Sequence, residues 1–371
     1  MYSESDIEHA VATGAITPAA AAALRQSVAE ARATPLVDEE SFRLITGFND
    51  IFVTIAAALL LVAVGWIGFS IAGPNDQVSG PEAMGPIGHG VALGGLLVAG
   101  VSWALAEYFT RRRRMALPSI VLLGAFVAAA GACVFGLGMP MIPPDNGDRV
   151  VSGIISVAGL VSAGAAYLHW RRFHVPITIA ALTSALVGTL ATALMWSVPS
   201  MRDNDHVLWV ILAAGVAVFG FAMWWDMSDR LRQTRRSDVA FWLHLAAAPM
   251  IAHPVFHLLG VMNNAITPVS GLIVIALYIL FGLVALAVDR RALLVSSLAY
   301  VLVALAELFR QAGAVSLNIA LTALVIGSAL LMLSAFWHSM RRLIVSGLPS
   351  DLQERLPALD RPVVATARAA G

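Results

Sequence analysis

The sequence predicts an all-α protein: a polytopic transmembrane helical bundle of about ten spans with both termini on the cytoplasmic side. Three observations predict it, namely an apolar composition, ten hydrophobic runs of spanning length, and an alternation of arginines between successive loops. Of the 371 residues, 59% are hydrophobic and only 12% charged, and the mean hydropathy is +0.81. A soluble domain carries about 25% charged residues. A chain this apolar has too little polar surface to cover a globule, so its solvent is the lipid bilayer.

A spanning helix needs about 20 mostly apolar residues to cross roughly 30 Å of hydrocarbon. Ten segments qualify: 50–72, 87–109, 118–139, 150–169, 176–197, 207–225, 239–259, 268–288, 292–309 and 317–338. All 23 basic residues are arginine. Three lie before the first span, and the loops after spans two, four, six and eight carry four, two, four and two; the C-terminal tail carries five. The intervening loops carry none, one, one, none and one. The cytoplasmic side of a membrane protein holds the Lys/Arg excess, so this alternation places both termini inside. One missed or invented span would invert every later loop.

The chain then divides into a cytoplasmic helical hairpin with a juxtamembrane segment (1–48), a ten-helix domain (49–340) and a cytoplasmic tail (341–371). In the hairpin, Gly14 suits the left-handed cap that ends a first helix. Thr17 with Pro18 makes an N-cap followed by proline at the first helical position, which starts a second. Phe42, Ile45 and Phe48 share one helical face and would lie along the inner interface. The tail after Arg342 reads as partly disordered. The acidic start, Met1 to Asp6, has no apolar h-region, so no cleavable signal peptide is expected. Tryptophans 170, 224, 225, 242 and 337 fall near inner ends and 196 and 209 near outer ones, as an interfacial belt requires. Small residues at fourfold spacing, Gly90 with Gly94 and Ala180, Ser184, Gly188 with Thr192, predict close helix packing.

Several function classes drop out. Zero net charge disfavours nucleic acid, whose phosphates demand a basic excess. The single Cys133 makes neither an internal disulfide nor a cysteine zinc site. The phosphate-cradling GxxxxGK[ST], the GxSxG elbow and HExxH are all absent, and no cofactor motif replaces them. Any site must lie within the bundle or at its mouths.

Ionisable residues inside a membrane are costly and therefore candidates. Asp50, Asp226 and Glu107 fall at inner interfaces, and Glu107 can pair with Arg111 four residues on. Glu307 and Arg310, three apart near the outer end of span nine, can pair and snorkel. Span seven is the exception, with His244, His253 and His257 and two prolines, Pro249 and Pro254, in one helix. At 1.5 Å per residue His244 lies about 9 Å in from Asp238 and His253 about 22 Å. Prolines remove amide donors, leaving carbonyls that neighbouring groups must satisfy. Three readings follow: interhelical hydrogen bonding, a cavity lined by these histidines with Glu307 and Arg310, or a metal or haem site drawing on His89, His206, Asp203 or Asp205.

The arm from Gly14, Ala15 and Ile16 through Ala20 and Leu24, with the entry segment Arg43 to Asp50, resembles a family of predicted bacterial inner-membrane proteins of unknown function. That family pairs a short helical arm with a multi-span bundle. The resemblance implies no activity and no site residues. The ten-span layout is also similar to that of drug and metabolite exporters built from two inverted five-span halves, although 50–197 and 207–338 show no internal repeat. Two functions from different classes result. One is a small-solute transporter or facilitator with span seven lining its path. The other is a scaffold or sensor that binds a protein partner through the N-terminal arm.

Overall fold

The computed structural model describes residues 4–33, 48–74, 83–143, 147–202, 204–230, 232, 234–260, 268–311 and 317–359. All regular structure among them is helical. Two compact units divide the chain, one holding the first 43 residues and the last 12, the other running from Leu44 to Leu359.

In the first unit α1 (Glu4–Ala12) and α2 (Pro18–Ala33) form the expected hairpin. Gly14 takes a φ of +74°, the left-handed conformation in which a Cβ is unfavourable. The Thr17 hydroxyl accepts the Ala20 amide at 3.1 Å, which is N-capping. Residues 34–47, with Phe42 and Ile45 of the expected interfacial face, lie outside the described residues.

The second unit contains α3 (Phe48–Ala72), α4 (Met84–Ala106), α5 (Ala116–Gly138), α6 (Gly147–Phe173), α7 (Ile177–Ser197), α8 (Asn204–Met227), α9 (Arg235–Leu258), α10 (Pro268–Val288) and α11 (Ala292–Gln311). A π turn prolongs α4 to Arg112. Among the described residues these nine helices are long and apolar enough to cross a membrane. The tenth expected span corresponds to a bent pair, which brings the number to ten if the pair is one span. Here α12 (Asn318–Ala335) and α13 (Trp337–Ser346) meet at Phe336 with a 73° bend. The reason is chemical: α13 carries Arg341 and Arg342, and its Trp337, Arg341 and Val345 form one buried face that packs sideways instead of continuing through hydrocarbon. Trp337 is thus 3% exposed and donates to Asp289 at 2.8 Å, which corrects its assignment to an interfacial belt.

The first five spans approach through glycine. A Cβ on Gly68 would sit 2.7 Å from the Gly94 Cα, and one on Gly136 would sit 2.6 Å from the Ala92 nitrogen. Small residues let helix backbones touch in this way. The expected row on α7 differs, because Gly188 faces open space.

The arginine-bearing turns share a device. Arg114, His174, Arg232 and Asp289, one in each of the turns after α4, α6, α8 and α10, have φ between 53° and 60°. Non-glycine residues enter this region at a cost of about 1–2 kcal/mol, in exchange for a sharp reversal. The ends of α4 and α6 are joined by Arg172, which donates to both Glu107 oxygens at 2.6 and 3.0 Å. Arg111 adds the expected i,i+4 contact at 3.3 Å.

Helix α9 is the most enclosed span: 50% of it is buried in the bundle, against 17% of α3. Its Val239, Leu243 and Ala247 pack with Val218 and Ala222 of α8 and with Ile179 and Ala180 of α7. Its Ala252 and Phe256 pack with Val301 and Ala304 of α11.

Candidate functional site on α9 and α11

Helix α9 starts at Thr234, whose hydroxyl accepts the Arg236 amide at 3.3 Å and donates to Asp229 at 2.7 Å. Pro249 and Pro254 stay inside the helix, so the carbonyls of Leu245 and Met250 lose their usual amide donors. The three histidines do not share a face. His244 and His253 are nine residues apart, which at about 100° per residue places them on opposite sides. The structure therefore separates the expected cluster into two polar centres.

The first centre is wholly buried. His244 is 0% exposed, Asp226 1% and Arg290 3%. The His244 Nε2–H donates to Asp226 Oδ2 at 2.9 Å. Arg290 donates to Asp226 Oδ1 at 2.6 Å and to the Ser237 carbonyl at 2.9 Å. Phe219 packs edge-on against the imidazole, with centroids 5.1 Å apart. The Asp226 carboxylate faces the Arg290 guanidinium, and buried charges persist only when paired in this way. The turn after α10 supplies the guanidinium. Asp289 adopts the left-handed conformation and the Arg290 amide returns to the Ala285 carbonyl at 2.9 Å, a Schellman closure. Asp289 itself accepts from Arg232 at 2.9 Å and from Trp337 at 2.8 Å. Asp226, expected near the inner end of its span, stands one residue from the end of α8 and is a buried anion shared by α8, α9 and the α10–α11 turn.

The second centre joins α9 to α11. His253 Nδ1 and the Tyr300 hydroxyl share a hydrogen bond of 2.8 Å, and Tyr300 stacks on Phe256 at 4.9 Å. The His257 ring lies 6.0 Å from that of His253, and its Nδ1 is buried with no hydrogen-bond partner among the described residues. Towards the other end of α11, Arg310 donates to Glu307 at 2.7 Å through Nε and also through Nη2, and Gln311 donates to it at 2.9 Å. Glu307 and Arg310 thus pair with each other, as their spacing requires.

Sequence reading missed the stripe on α11. Ser297, Tyr300, Ala304, Glu307 and Gln311 recur at three- and four-residue steps, which holds them within about 80° of one another. The stripe runs about 21 Å along the axis, most of a bilayer core of roughly 30 Å. Ser297 and Ala304 are fully buried, so the first part of this face points into the bundle, while Glu307 is half-buried and Gln311 exposed at its end. Of the spanning helices α11 is the most one-sided. The heptad spacing was there to be counted.

The other sequence candidates sit apart. His206 pairs with the Ser200 carbonyl at 2.8 Å, His89 is exposed on α4, and Asp203 lies outside the described residues. Among the described residues no group of three or more His, Cys, Asp or Glu could hold a metal ion. A further buried histidine, His169, touches Thr178 through Nδ1 at 3.5 Å and is ringed by Trp103, Phe126 and Phe173. Aromatic faces accept an N–H weakly, which gives this residue a packing role.

Compared with known proteins, the chain matches no family model, no curated protein and no solved structure. The chemistry of these two centres therefore has to be argued from their own geometry.

Proposed function

We propose that this multi-pass membrane protein carries a small polar solute across a bacterial inner membrane, with both termini cytoplasmic, along the seam between α9 and α11. One observation supports the reading. Tyr300, midway along α11 on its polar face, shares a hydrogen bond with His253 in the last two turns of α9, and the His253 ring faces that of His257. Polar side chains deep in a bilayer are retained where they line a path or bond one another. Here some do each: His253 and Tyr300 are bonded, while His257 has a buried nitrogen with no partner among the described residues. Glu307 and Arg310 stand at one mouth and the Asp226–His244–Arg290 centre at the other.

The test is flux. Protein reconstituted in vesicles should speed entry of small polar solutes such as urea and glycerol, read by stopped-flow light scattering, and His253→Ala should change that rate. Entry no faster than in protein-free vesicles, for every solute tried, would remove the reading. The N-terminal arm carries a second one. Its hairpin belongs to a compact unit of its own, which suits docking of a protein partner. Pull-down with the arm deleted tests this, and an unchanged set of captured proteins would count against it.

A further inference from the structure

The segment after α13 is packed, not loose. Following Gly347 the chain makes a single short helical turn, α14 (Ser350–Gln353), and crosses the arginine-bearing end of α8, α10 and α13. Its fastenings are few and of one kind. Arg230, at the end of α8, donates to the Leu356 carbonyl at 3.0 Å and the Gln353 carbonyl at 3.1 Å. Arg341 donates to the Pro357 carbonyl at 2.6 Å and the Ala358 carbonyl at 3.3 Å. The Ala358 amide returns to the Arg230 carbonyl at 3.3 Å. Beneath them the apolar contacts are few: Leu356, 8% exposed, sits among Val288 and Val345 and against Phe219 and Met223, with the buried Pro357 beside it and Leu359 packed on the same cluster. Asp351, Leu352, Glu354 and Arg355 face outward.

The position matters more than the packing. Phe219 touches Leu356's cluster on one side and the His244 ring on the other. Val288 and Asp289 of the same turn lead directly into Arg290. The segment thus covers the end of the bundle below which the Asp226–His244–Arg290 centre is buried. We propose that residues 350–359 are a strap that closes this mouth, and that its release admits water to the buried charge centre. The proposal rests on the α9–α11 path for its functional meaning, though not for its geometry. A four-residue helix held by guanidinium–carbonyl bonds and the apolar contacts of Leu356, Pro357 and Leu359 has no core of its own. Such elements open locally at far lower cost than the helices they cover. The buried ion pair beneath them would gain most from hydration, since its burial is what costs energy.

The experiment uses the full chain in nanodiscs, with Cys133→Ser and a reporter Met223→Cys beneath the strap. Labelling by a membrane-impermeant maleimide is timed in the parent, in Leu356→Asp, in Arg230→Gln and in a chain ending at Leu348. Release should raise the labelling rate about tenfold or more, the factor that a 1.4 kcal/mol shift in opening gives. Arg230→Gln, which keeps the apolar anchor, should fall between. Unchanged labelling in all three variants, each with the parent's thermal unfolding, overturns the strap. Solute flux measured in parallel separates the two ideas. Faster labelling with no flux in any variant keeps the strap and removes the path; flux with unchanged labelling does the reverse.

Discussion

The two halves of the bundle are held by different means. Spans α3 to α5 pack backbone against backbone, with Gly68 on Gly94, Gly136 on Gly88 and Ala92, and Gly95 on Ala129, while the glycines of α6 receive side chains of α7, Gly153 that of Trp196 and Gly159 that of Thr189. From α8 onward, charges and hydroxyls tie the helices together: Asp226 to Arg290 and His244, Asp289 to Arg232 and Trp337, and Tyr300 to His253. Lipid tails are as apolar as leucine, so neither half is assembled by the hydrophobic effect alone. The glycine half gains from close dispersion contact and has little reason to move. The polar half keeps buried groups that are costly to hold, which is where a membrane protein keeps its function.

That contrast is open to attack from both sides. The largest effect is expected at the buried charge centre. Asp226→Ala leaves Arg290 buried without its carboxylate and should lower stability by about 3–5 kcal/mol, read as a fall in thermal midpoint in detergent. A protein as stable as the parent would mean that the centre is hydrated and dispensable. Next comes the glycine half. Gly136→Leu drives a side chain into the α4 backbone and should cost about 1–3 kcal/mol. Gly188→Leu, facing open space, should stay within about 0.5 kcal/mol of the parent; equal effects at the two sites would contradict the packing described. The smallest shift belongs to Tyr300→Phe, which removes one interhelical hydrogen bond worth about 0.6 kcal/mol yet should alter solute flux.

Much of this was legible in the sequence where the cause is local. Gly14 and Thr17 announced the hairpin because caps depend on residues within one turn. The pairs Glu107 with Arg111 and Glu307 with Arg310 followed from helical spacing. Apolar length marked the nine spanning helices and the bent pair, since hydropathy is a property of each run by itself. What lay beyond reach depends on distant partners. The burial of Asp226 was hidden because Arg290, 64 residues later, is invisible as its counter-charge without a fold. The break at Phe336 follows from Trp337 reaching Asp289. The packing of the tail through Leu359, expected to be partly disordered, depends on Arg230 and Arg341. The opposite phases of His244 and His253, and the heptad stripe of α11, follow from helical spacing alone.

Cysteine scanning of α11 tests the central claim most directly. In a Cys133→Ser background, single cysteines at 297, 300, 304, 307 and 311 are compared with 295, 302 and 303, whose native side chains are exposed on the outer face of the bundle. The account predicts reaction with a small water-soluble thiol reagent on the first set, repeating every three and four residues through the depth of the membrane. It predicts silence on the second. Reaction confined to position 311, or spread evenly around the helix, would contradict a polar path along this seam.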